Sequence, residues 1–365
     1  MRANEFVIEQ SIDEDRGSGA VRYNTELAML VAFTGGTSLK NIPKKALANP
    51  DKVLAEIKKV LPAYDKAIFS HWLEYAKIHK AKILEHSGSL PKKYDWVAGE
   101  NAGGVADLVF VGHETSGVSI KDKSGITLAN LSPKALGLES PQGVDTFQHY
   151  SPSEWVEFKK AVFTLALKEA KASAEPIHPK PSGKERSIAW NPETKLFDIV
   201  WDGGVLNSSA KDILAGAEKG NAKWQRVFGD WYQLNFQQHK GLMKKLVIAV
   251  SKAFEETIAT ALEDSDKLKR VLQFEDKPYY YATPKKLYYV PSAADAGDIK
   301  LKGIAYGNPD GTSQLFKAKI GHEESGDEGA VLDIYIRFAN GLFATNSTAR
   351  AQSLKDPELI SWTLL

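Results

Sequence analysis

Residues 103–125, GGVADLVFVGHETSGVSIKDKSG, carry the reading of the fold. Val105 to Val111 is a run of β-branched and apolar residues. A glycine-bounded loop, Gly112 to Gly117, follows it, and a second run returns from Val118 to Lys123. This pattern predicts a β-hairpin. Side chains alternate faces along a strand, so Asp107 is expected beside Val105, Val109 and Val111, with Ala106, Leu108 and Phe110 opposite. On the returning strand Ser119, Lys121 and Lys123 share one face, and Val118 and Ile120 the other. An aspartate inside an apolar strand is costly without a partner. The hairpin supplies one by bringing Lys121 to the same side of the sheet as Asp107.

The chain outward from this hairpin alternates in character. Towards the N-terminus, a helix is expected over Glu26–Phe33, with Thr25 as its cap and the Gly35-Gly36 pair as its end. A second helix starts at Asn49-Pro50-Asp51, is broken by Pro62, and resumes with Ile68, Trp72, Tyr75 and Ile78 at helical spacing. After the hairpin, residues 126–143 read as a loop packed against it. A long helix begins at Ser153, and a proline-rich basic linker follows. RSIAW-NPET-KLFDIVW reads as a second hairpin, and residues from about 209 to 272 are mainly helical. From Lys277 onward, alternating runs separated by Gly, Asn, Asp and Pro predict one antiparallel sheet of four or five strands. The class is α+β, with three regions: 1-175, holding the N-terminal helices and the hairpin; 176-275, a linker hairpin and helices; and a β-rich 276-365.

Composition sets the outer bounds. The 365 residues are 43% hydrophobic and 25% charged, with a net charge of +1, as in ordinary globular proteins rather than uniformly basic nucleic-acid binders. There is no cysteine, which excludes disulfides and thiolate metal sites. The N-terminal residues lack the apolar core of a signal peptide, and no apolar run approaches spanning length. A cytoplasmic protein with no membrane association is expected.

An aspartate on one strand, a short hairpin, and a strand ending in x-x-Lys resembles the PD-(D/E)XK, or restriction-endonuclease-like, nucleases. Asp107 matches the first acid and Lys121 the lysine. Ser119 stands where the second acid is normally found, so this chain resembles a variant of the pattern. Some members of that superfamily draw a further acid from a helix near the N-terminus, and Glu26 in YNTELAML is placed to supply it. The resemblance implies a mixed sheet flanked by helices and a metal-dependent DNA endonuclease of restriction or phage type. It implies Mg2+ (Mn2+ in its place) held by Asp107 with Glu26, or with Glu100 as the rival acid. The catalytic set would be Asp107, Lys121, Glu26 and Ser119. Expected partners are DNA and, as a homodimer, a second copy of the chain.

These residue types suit that chemistry. Mg2+ takes hard oxygen ligands and keeps several waters, so one or two carboxylates suffice. A lysine beside them would orient the attacking water and offset developing charge. For DNA contact the sequence offers Lys123, Lys285, Lys286 and Tyr281, the tyrosine as a base-stacking surface. Lys40, Lys44, Lys45, Lys180, Lys184 and Arg186 are further candidate phosphate contacts. Each feature also has a plainer reading. Asp107 and Lys121 would be a buried ion pair, Glu26 a surface glutamate, the tyrosines core packing and the lysines a solvated face. His71, His79 and His86 lack a metal-ligand spacing and read as ordinary helix residues. The alternative function is a non-catalytic DNA-binding or phage-assembly protein that retains a nuclease-like fold.

Overall fold

The computed structural model describes residues 18–97, 105–123, 125–128, 133–138, 141, 144, 146–179, 186–201, 204–219, 222–307, 313–338 and 347–365. In chain order the helices are α1 (Ser18–Thr34), α2 (Pro50–Val60) and α3 (Lys66–Ser87), then strands β1 (Lys93–Trp96), β2 (Leu108–Val111) and β3 (Gly117–Ile120). Helices α4 (Thr146–Tyr150) and α5 (Pro152–Ala172) lead to β4 (Ser187–Asn191), β5 (Leu196–Trp201) and β6 (Gly204–Ser208). A helical block follows: α6 (Ala210–Lys219), α7 (Ala222–Leu234), α8 (Phe236–Leu262) and α9 (Ser265–Val271). The chain closes with β7 (Tyr279–Ala282), β8 (Leu287–Val290), β9 (Ile299–Tyr306), β10 (Ser313–His322), β11 (Ala330–Phe338), β12 (Ser347–Lys355) and β13 (Thr363–Leu364). The architecture is mixed α+β. Among the described residues no helix is long and apolar enough to cross a membrane.

Helix α1 begins well before the expected start. Thr25 is not its cap but an interior residue whose hydroxyl donates to the Val21 carbonyl at 2.9 Å. The polar stretch that resembled a helix boundary is polar for tertiary reasons. The amide of Asn24 donates to Ala63 O and its carbonyl accepts from Asp65 N, tying α1 to the turn before α3. Asp65 then caps α3 through Ala67 N and Ile68 N. Residues 27–33 of α1 are buried all round, because the helix lies between the sheet and α3.

The central sheet has six strands in the order β1-β2-β3-β7-β8-β13, antiparallel except where β3 runs parallel to β7. Period-two alternation divides its side chains between two cores. Leu108, Phe110, Val118, Ile120, Tyr280 and Ala282 pack with α1, α2 and α3. Tyr279, Tyr281, Tyr288 and Val290 face the larger core formed with helices α5 to α9 and the remaining strands. Both faces are therefore covered, as a sheet with a parallel pair at its centre requires. The β2–β3 turn needs Gly117: at its φ of 152° a Cβ would stand 2.1 Å from the Leu108 carbonyl oxygen.

Two expectations need correction. The C-terminal region is not one sheet: β7, β8 and β13 complete the central sheet, while β9 to β12 form a separate four-stranded antiparallel sheet, β12-β11-β10-β9. Strands β3 and β7, from the first and third of the expected regions, pair directly in this sheet. The second hairpin was readable, but it gains a third strand, β6.

Candidate functional site

The β2–β3 register pairs Leu108 with Val118, and Asp107 N donates to Val118 O at 2.9 Å, so Asp107 sits at the mouth of the ladder. Its carboxylate turns back on the hairpin, where Oδ2 accepts from Ile120 N at 2.7 Å. Lys121 follows directly, with Nζ 3.9 Å from the same Oδ2. Strand and helix meet here. Arg22 and Glu26 lie one turn apart on α1, with Arg22 Nε 2.7 Å from Glu26 Oε1. The other arm of the guanidinium reaches Asp107, with Nη2 3.6 Å from Oδ1. The remaining glutamate oxygen, Oε2, accepts from the indole N–H of Trp96 at the end of β1, at 2.9 Å.

The four charges are layered. The Glu26 side chain is 0% exposed and that of Arg22 45%, whereas Asp107 is 4% and Lys121 28% exposed. Two carboxylates form the floor and two cations the solvent-facing cover. Burial, reinforced by the nearby charge of Asp107, pushes the Glu26 carboxyl above the ordinary carboxylate range, against the opposing pull of Arg22 and Trp96. Glu26 is thus a fully enclosed acid and not a surface residue. Ser119 is also enclosed, and its hydroxyl finds no hydrogen-bond partner. It pairs with Tyr281 of β7 on the face of the sheet away from Ile120.

The donor set fits a hard divalent cation. Glu26 and Asp107 bring two carboxylates from separate elements to one guanidinium. The described residues contain no group of three or more acids and histidines arranged to hold a metal. A cation here would rest on the carboxylate pair and water. Glu100, the rival acid, lies outside the described residues.

The other expected contacts divide. Lys121 N donates to Ala282 O at 2.9 Å, so the turn after β7 lies at the same end of the sheet as the site. That turn carries Lys285 and Lys286, both exposed, and Lys123 is exposed just beyond β3. Tyr281 is not a base-stacking surface. It is fully buried, its hydroxyl is held between Thr127 N and Thr127 O, and Lys121 Nζ lies 5.9 Å from its ring centre. Arg186 is not an open phosphate contact either, because it pairs with Asp230. Lys180 and Lys184 lie outside the described residues. His79 is buried against Thr283 O, and His86 meets the Tyr280 hydroxyl, as packed helix residues do. Sequence reasoning missed Arg22 and Trp96. The Arg22-x-x-x-Glu26 spacing was a signal for the first, since residues four apart share a helix face. Nothing local marked Trp96.

No family model, curated protein or solved structure matches this chain.

Proposed function

We propose that the chain is a metal-dependent DNA endonuclease, of restriction or phage type, with its site at the Asp107 end of the central sheet. One observation carries the reading: two buried carboxylates, Glu26 from α1 and Asp107 from β2, meet under Arg22 and Lys121, and Lys123, Lys285 and Lys286 stand exposed at the same end of the sheet. Buried like charges of this kind are expensive as mere structure and are a common mark of functional sites. Glu26 and Asp107 would hold Mg2+ or Mn2+, which when bound polarises a phosphoryl oxygen and yields hydroxide from water at neutral pH.

The rest of the work falls to the chain. The Ile120 N–H and the Trp96 indole fix the two carboxylates from behind, so their orientation is set before any ligand arrives. Lys121 holds a positive charge beside Asp107, where it orients the attacking water and offsets charge on the phosphoryl oxygens in the transition state. Lys123, Lys285 and Lys286 take backbone phosphates and hold the duplex end-on to the sheet.

A second reading is favoured by a specific observation. Each oxygen of both carboxylates already has a cationic or N–H partner within the chain, and serine replaces the expected second acid. On that reading the protein binds DNA, or serves in phage assembly, without cutting. A gel-shift series in EDTA, Ca2+ and Mg2+ separates the two. The nuclease reading expects a stable shift in Ca2+ and loss of full-length duplex in Mg2+. An identical shift with intact duplex in all three supports the binder.

A further inference from the structure

Arg22 does more than neutralise one neighbour. Its Nε is 2.7 Å from Glu26 Oε1 and its Nη2 3.6 Å from Asp107 Oδ1, so a single guanidinium spans the two carboxylates that would receive a metal. Both acids are buried, and leaving them together without a counter-charge is strongly disfavoured. Arg22 therefore stands where the positive charge of a cation is needed. It is also the more exposed partner, at the rim, on a long side chain able to swing outward.

We propose that Arg22 is a resident counter-ion that exchanges with a divalent cation at the Glu26–Asp107 pair. This inference rests on the metal-dependent reading above and deepens it. Without metal, Arg22 keeps the two carboxylates ionised, oriented and apart from stray cations. To admit a divalent ion it must release at least Asp107, so loading is an exchange of one positive group for another. Lys121, 3.9 Å from Asp107 Oδ2 and bonded to neither oxygen of Glu26 in the described contacts, cannot bridge the pair in this way.

The test is a titration of Mn2+ followed by the electron paramagnetic resonance of the free ion, at pH 8, on the parent, Arg22→Gln and Arg22→Lys. If Arg22 competes with the cation, Arg22→Gln should bind Mn2+ about 10-fold more tightly, within the span usual for coupled sites. Arg22→Lys, which keeps the charge and loses the fork, should fall between that variant and the parent. Binding by the variants alone would also support exchange. If the parent binds Mn2+ and Arg22→Gln binds no more tightly, the exchange is overturned while the metal reading stands. If neither parent nor variant binds, both fall. Should Arg22→Gln fail to fold, the Arg22 Nε–H resonance of the parent decides. It should move on adding saturating Mg2+, and an unmoved signal overturns the proposal.

Discussion

Asp107 and Lys121 face each other across a tight hairpin, with 3.9 Å between Oδ2 and Nζ, but they do not depend on each other equally. Lys121 is partly open to solvent and also lies against the Tyr281 ring. Asp107 is enclosed and keeps Ile120 N and Arg22 as further partners. The pair is thus asymmetric, and the asymmetry lets a catalytic role for the lysine be told from a structural one by mutation.

Lys121→Ala should leave stability within about 1 kcal/mol of the parent, since a partly exposed ion pair contributes little and Asp107 retains its other partners. Cleavage should drop by about 10²–10³, as when a preorganised donor to the transition state is removed. Melting temperature and plasmid nicking on the same preparation check both. A large fall in stability would return the lysine to a structural role.

Asp107→Asn should abolish Mn2+ binding, because a neutral amide is a poor ligand for a hard cation. It can still accept from Ile120 N, so the fold should survive at a cost of about 1–3 kcal/mol for the mismatched amide beside Arg22 and Lys121. Isothermal titration with Mn2+ and urea unfolding are the measurements. Undiminished metal binding would move the ligand elsewhere.

Glu26 makes a pH prediction with a definite sign. Its folded carboxyl titrates above its ordinary value of 4.5, chiefly through burial. Between the unfolded and folded values the native state holds the extra proton, so this group's contribution is full below about 4.5 and is lost as pH rises through the folded value. Glu26→Gln removes that downward slope. Urea unfolding at a series of pH values above 4.5 should show a flatter profile in the variant. A steeper one would contradict the burial-dominated account.

Gly117→Ala tests the hairpin itself. The added Cβ would meet the Leu108 carbonyl oxygen at 2.1 Å, a backbone atom that cannot swing away, at a φ unfavourable for alanine. A loss of about 2–4 kcal/mol is expected in denaturant unfolding. A near-neutral result would mean that the β2–β3 turn is built differently.

The hairpin and the shared side of Asp107 and Lys121 were legible because both follow from period-two alternation over a few residues. The α+β class followed from runs of like pattern. Pairings between distant segments were not legible. Tyr281 was open to two readings, base stacking beside lysines or core packing, and distant partners, Thr127 and Trp362, enclose it in the core. The start of α1 was misplaced because Asn24 and Thr25 are polar for partners inside the fold, not for solvent. Glu26 was found as a candidate but expected at the surface by default. The indole of Trp96 that encloses it arrives from β1, seventy positions along the chain.

The most direct test of the central claim is plasmid cleavage by the parent and Glu26→Gln across a Mg2+ titration, with EDTA as the zero point. The account predicts no cleavage in EDTA, metal-dependent nicking and linearisation by the parent, and none by the variant at any Mg2+ concentration. Intact plasmid with the parent at every concentration, or equal cutting by both proteins, would contradict it.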